Sequence, residues 1–163
     1  MLVKCYDIDE KRPKEESYKA PNGKYYTCKE AYDKMRHEKE FRDKCIDRYR
    51  EWVGRKDVGP SIWTKKMKEC ENYGTEVIYA AMLLSEDSVK YASQNKTFRN
   101  EYQAASYYWA IVNGNMLTAR KQVTAKNQRE KEAKEQEKYR EYEEVQVQPN
   151  HRNNTVDISK FLD

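Results

Sequence analysis

Apolar residues recur at helical spacing along most of the chain, and breaks in that spacing mark its elements. Ala31, Tyr32, Met35, Cys45, Ile46, Tyr49, Trp52 and Val53 form the apolar side of a first long helix, with charges between them. Thr27-Cys28-Lys29-Glu30 opens it as a capping-box pattern, in which hydroxyl and carboxylate satisfy orphan amides reciprocally, and Gly54 closes it. After a loop over residues 55–60, Ser61 begins a short helix carrying Ile62, Trp63, Met67 and Cys70, and Tyr73-Gly74 stops the chain again. Val77, Ile78, Ala80, Ala81, Met82, Leu83 and Leu84 are the densest apolar stretch and predict a buried helix. Ser85 is a candidate N-cap for a short helix through Val89, Tyr91 and Ala92. Phe98 to Val112 gives another, with Tyr102, Ala105, Tyr108, Trp109 and Val112 on one side and Asn113-Gly114 as its stop.

The two ends follow other rules. Residues 1–26 show no helical stripe; Leu2 to Tyr6 reads as a short strand, and Tyr18 to Tyr26 as a turn at Pro21-Asn22-Gly23 between aromatic arms. A hairpin or knuckle this small is marginal alone and is expected to pack on the first helix. From Asn115 to Glu144 a long helix is predicted in which Leu117 and Val123 dock on the core. Over residues 126–144, 13 of 19 positions are charged, so this part is either a solvated single helix or one ordered by a partner. No a/d heptad runs through it, which argues against a coiled coil. The tail 145–163 ends in an apolar tip, Val156, Ile158, Phe161 and Leu162, readable as a docking segment or as a frayed terminus. The expected fold is mainly α: an N-terminal element (1–26), a compact helical bundle (27–114), a long charged helix (115–144) and a flexible tail (145–163).

Composition sharpens this picture. Only 37% of the 163 residues are hydrophobic and 37% are charged, the profile of a disordered chain, yet 14 residues are tyrosine. Disordered chains are poor in aromatics, so a packed core is expected. No stretch approaches the ~20 apolar residues that span a bilayer, and no apolar segment near Met1 resembles a secretory signal. Cys5, Cys28, Cys45 and Cys70 are too widely spaced for a disulfide scaffold. A reduced, cytoplasmic protein is the expectation.

Catalytic patterns are scarce. His37 and His151 are the only histidines, one in a highly charged helical segment and one in the tail, and nothing in the sequence activates a thiol beside His37. Phosphate loops, nucleophile elbows and zinc-protease signatures are absent. Cys5 and Cys28 flank the N-terminal turn as knuckle ligands do, and His37 with a carboxylate could complete a tetrahedral site. Without closely spaced cysteine pairs, cysteines packed as small hydrophobes fit better. No cofactor or metal is expected, and a binding protein is favoured over an enzyme.

Charge placement says more than the net +4. No acid occurs over residues 102–129, where Arg120, Lys121, Lys126 and Arg129 accumulate. These are candidate phosphate contacts, although helical projection spreads them around the axis. Lys65, Lys66 and Lys68 form a second set beside Trp63, and the first helix carries Arg36, Arg42, Lys44, Arg48, Arg50 and Arg55 interleaved with acids. Tyr25 and Tyr26 are candidate recognition aromatics, or alternatively cover the hairpin face on the first helix.

Along Tyr18 to Tyr32, and again at Phe98-Arg99-Asn100-Glu101, the chain resembles small accessory proteins of bacteriophages and mobile elements of low-GC Gram-positive bacteria, over residues 1–114. The resemblance implies a protein that binds and inhibits host machinery, CRISPR nucleases included, or assists phage replication. The expected function is therefore a non-enzymatic protein engaging nucleic acid or a host nucleoprotein and acting by occlusion, with no membrane partner. The alternative is a replication or structural accessory protein that docks another protein through its long helix and C-terminal peptide.

Overall fold

The computed structural model describes residues 1–54 and 61–146. The protein is mainly helical, with a small β element at its N-terminus, a helical bundle and a long C-terminal helix. The chain divides into two compact units, Met1–Thr124 and Ala125–Asp163.

The N-terminal element contains two antiparallel pairs. Strand β1 (Leu2–Lys4) pairs with β2 (Lys11–Pro13), and β3 (Tyr18–Lys19) pairs with β4 (Tyr25–Tyr26). A bridge between Cys5 and Tyr25 joins them. The second pair turns where the sequence predicts, with Gly23 at φ 79°. In the first pair β1 falls within the strand expected at Leu2 to Tyr6, while its partner β2 has no counterpart in the sequence pattern; the turn between them needs Asp9 at φ 55°, a left-handed conformation that Asp tolerates.

Helix α1 (Lys29–Val53) ends at Gly54, φ 68°. Its start differs from the expected capping box. Cys28 is the N-cap and its Sγ accepts from the Ala31 amide at 3.4 Å. The Thr27 hydroxyl is taken by the Asp7 carboxylate, which also accepts from the Thr27 amide at 3.0 and 3.2 Å. Asp7 thereby ties the end of β1 to the entry of α1. Partial burial pushes the Asp7 carboxyl up, but the hydrogen bonds from Thr27 outweigh it and hold the group below its ordinary 3.8. A carboxyl depressed on folding contributes stability above the ordinary carboxylate range and loses it as pH falls through the folded value. Asp7→Asn is expected to lose about 1.5 kcal/mol near neutrality and to show a shallower acid loss than the native chain. Urea midpoints measured across acid pH check this; parallel curves would contradict it.

Helices α2 (Ser61–Glu69), α3 (Thr75–Leu84) and α4 (Glu86–Asn95) follow, with short 3-10 turns elsewhere. Packing of α1 along α3, with α2 and α4 beside it, builds the bundle. Trp63 is fully buried, stacked on Tyr49 at 4.7 Å and 8°, and edge-on to Trp109 at 4.9 Å and Trp52 at 5.9 Å. Val77, Ile78, Ala81 and Met82 line the core from α3, whereas Leu83 and Leu84 at its end are exposed, against the expected wholly buried helix. Met35 is likewise exposed. Ser85 stands at the expected N-cap position of α4, but its side chain makes no cap bond. Its backbone is helical, its buried hydroxyl donates to Ala81 O at 2.7 Å, and it accepts from Asn115 Nδ2 at 2.9 Å. The α3–α4 corner is thus clipped to the last helix through a satisfied polar contact.

That last helix, α5 (Glu101–Gln146), is continuous through the expected stop at Asn113-Gly114. Val112, Met116 and Ala119 are buried and Val123 packs on the core. Their burial outweighs the roughly 1 kcal/mol that glycine loses against alanine inside a helix. Continuity also fixes the phase: Leu117, one residue beyond Met116, turns away and is 65% exposed, and Tyr102 is 62% exposed, so neither takes its expected place in the core. A Cβ built on Gly114 meets nothing within 4 Å. Gly114→Ala is therefore expected to stabilise the fold by about 0.5–1 kcal/mol, read as a raised thermal midpoint; a lowered one would contradict the continuous helix.

Candidate nucleic-acid interface

Helix α1 carries a dense mixture of charges, and the structure sorts them. Lys44 pairs with Glu40 at 2.7 Å, Arg50 with Asp47 at 3.3 Å, and Arg48 with Glu51 at 3.1 Å and Glu86 at 3.5 Å. Arg36, Lys39 and Arg42 have no ion-pair partner among the described residues. Spaced by three residues, they occupy an arc of about 120° and about 9 Å along the axis. All three are exposed and line one cavity of about 380 Å³, walled by Asn22, Tyr26 and Tyr32. A second cavity of about 380 Å³ shares Glu38 and Arg42 with the first and continues past Lys68 and Glu71 to Thr75. Four cations, Arg36, Lys39, Arg42 and Lys68, and two carboxylates, Glu38 and Glu71, line these two neighbouring cavities of the α1 groove.

The tyrosine wall is fixed by packing. Tyr26 is buried and meets the Tyr32 ring edge-on at 5.1 Å, Tyr18 lies 5.9 Å from Tyr32, and Asn22 Nδ2 donates to the Tyr26 hydroxyl at 3.2 Å. The hairpin therefore covers the start of α1 with Tyr26. Tyr25 is half-buried, and its carbonyl accepts from the Tyr6 amide at 2.9 Å.

The other candidates are dispersed. Lys65 is exposed, and Lys66 is half-buried and pairs with Glu69 at 3.5 Å. Of that set Lys68 alone joins the groove. Arg120 and Lys121 belong to the first unit, with the Arg120 guanidinium 5.9 Å from the Tyr73 ring. Lys126 and Arg129 belong to the second, where Lys126 pairs with Glu130 at 3.7 Å. Val156, Ile158, Phe161 and Leu162 lie outside the described residues, as do Arg55 and His151. Sequence reasoning named Arg36 and Arg42 but missed the site, because chain order does not show that the hairpin residues Asn22 and Tyr26 wall a cavity beside them.

The thiols have separate surroundings. Cys5 Sγ lies 3.6 Å from Ser17 Oγ, Cys28 caps α1, and His37 sits 3.8 Å from Glu76 and against the Phe41 ring. No group of three or more metal-ligating side chains occurs among the described residues. All four cysteines are free; burial pushes Cys45 up to about 12, and raises Cys70 as well. A thiol reagent applied to the folded protein is expected to modify exposed Cys28 first and Cys5 and Cys45 only after unfolding. Peptide mass spectrometry reads the order, and early modification of Cys45 would contradict it.

The fold defines a small, mainly helical protein, and no described helix is long and apolar enough to cross a membrane. A family profile described as SPbeta prophage protein YorH matches residues 5–160, and the chain belongs to that family. It is a phage-related protein, the context that the resemblance at Tyr18 to Tyr32 implied. A search of curated proteins finds no match, and neither does one of solved structures.

Proposed function

We propose that this phage-family protein is a non-enzymatic binder of nucleic-acid backbone, free or held in a host nucleoprotein such as an RNA-guided nuclease, and that it inhibits by occlusion. The carrying observation is the α1 groove, where Arg36, Lys39 and Arg42 have no ion-pair partner among the described residues and stand beside a tyrosine wall. Cations left unpaired by the fold can neutralise phosphates and so release the counterions condensed on a nucleic-acid backbone, which is the main source of sequence-independent affinity. Fluorescence anisotropy with labelled single- and double-stranded oligonucleotides tests the reading. Saturable binding that a polyanion competes away supports it, and unchanged anisotropy for both oligonucleotides overturns it.

A second reading has its own support. Tyr139 and Tyr142, 72% and 71% exposed on the charged end of α5, are of the residue type favoured at binding hot spots. In that reading a replication or structural accessory protein docks a protein partner through the long helix and C-terminal peptide. Affinity capture from a bacterial lysate separates the two. Recovery of one protein that survives nuclease and high salt, and is lost on deleting residues 145–163, favours docking.

A further inference from the structure

A cavity of about 400 Å³ lies where the end of α1 meets Phe98 and the first turns of α5, away from the residues of the basic groove. Trp52, Phe98 and the buried Tyr108 are among its lining residues, together with Glu101, Asn100 and Ser93. Trp52 and Tyr108 are 6.3 Å apart at 75°, and Phe98 and Tyr108 5.5 Å apart at 83°, so successive rings stand nearly perpendicular. Aromatic faces attract cations through their quadrupole, and several such rings about one cavity recognise alkylammonium groups.

Two carboxylates engaged by aromatic residues of this corner differ. Glu86 accepts from the Trp52 indole at 3.2 Å and is matched by Arg48 at 3.5 Å and Lys90 at 3.1 Å. Glu101 accepts the Tyr49 hydroxyl at 3.1 Å through Oε1 and has no cation among the described residues. Its charge is felt in a poorly solvated setting: burial first, then Glu101, raises the Tyr49 phenol. The N-terminal end of α5 opposes a cation with a partial charge of about +0.5. Asn100 Oδ1 already accepts from the Gln103 amide at 2.9 Å, and the full negative charge of Glu101 exceeds what remains.

We propose that this cavity binds an alkylammonium or guanidinium group, supplied by a lysine or arginine side chain of a partner or by a free organic amine. Glu101 neutralises the charge while Trp52, Phe98 and Tyr108 surround its apolar shell. The proposal stands apart from the nucleic-acid reading and shares none of its residues. The test is NMR titration of the full chain, following the Trp52 indole N–H, with fully buried Trp63 as internal control. Choline is compared with its uncharged tert-butyl isostere, and both with the N-acetyl amides of lysine and arginine. The expected result is a cation preference of about tenfold or more over the isostere, abolished in Glu101→Gln, whose amide oxygen still accepts from Tyr49. Tighter binding of the amino-acid amides assigns the source to a partner side chain, and tighter binding of choline to a free amine. Equal binding of choline and isostere, a preference that survives Glu101→Gln, or no shift with any probe overturns it.

Discussion

Replacing Trp63 with alanine is expected to remove about 3–5 kcal/mol of unfolding free energy, the range for deleting a buried large aromatic. Its side chain joins three helices. From α2 it stacks on Tyr49 of α1 and meets Trp109 of α5 edge-on, with no solvent exposure. Truncation removes the transfer free energy of the indole and leaves a cavity between three helices that can only partly collapse. Against the roughly 5–15 kcal/mol that holds a typical domain folded, that loss is a large share. Trp63→Phe keeps the stack on Tyr49 and is expected to lose less than half as much. Urea denaturation measures both. A midpoint unchanged by Trp63→Ala would mean that the aromatic cluster does not hold the bundle.

The largest expected functional effect comes from Arg36→Gln, Lys39→Gln and Arg42→Gln made together. Glutamine retains helix propensity and the three positions are exposed, so thermal stability should change little. Oligonucleotide affinity at fixed low salt is expected to fall by about tenfold or more, since three phosphate contacts and their released counterions are lost. Neutralising Arg120, Lys121, Lys126 and Arg129 serves as the comparison. Arg120 is engaged by Tyr73 and Lys126 by Glu130, so the smaller loss is expected there. A reversed order would move the interface to α5.

Much of the helical plan was legible because burial and helical period coincide. Cys45 and Tyr49 on α1, or Val89 and Ala92 on α4, recur at the spacing their burial requires. Gly54 was legible as a stop because its φ is positive, whereas Gly114 has a helical neighbour on both sides and exposes the same residue type without the same conformation. Local signals failed where a distant side chain took over. Asp7 holds the Thr27 hydroxyl and moves the cap to Cys28, and Asn115 holds the Ser85 hydroxyl that was expected to cap α4. The β1–β2 pair rests on the backbone of Asp9, which carries no apolar pattern to announce it. The basic groove was hidden for a related reason. Chain order offers every α1 cation an acid within four residues and does not show which pairs form, nor that the hairpin and Lys68 of α2 line the cavities beside Arg36, Lys39 and Arg42.

The salt dependence of oligonucleotide binding tests the central claim most directly. Plotted as log affinity against log salt, the native chain should give a slope of about −0.9 per phosphate contact on duplex or about −0.7 on single strand. The triple variant at Arg36, Lys39 and Arg42 should flatten that slope by about two to three contacts' worth. A slope identical in the two proteins, or binding indifferent to salt, would contradict a phosphate-binding groove on α1.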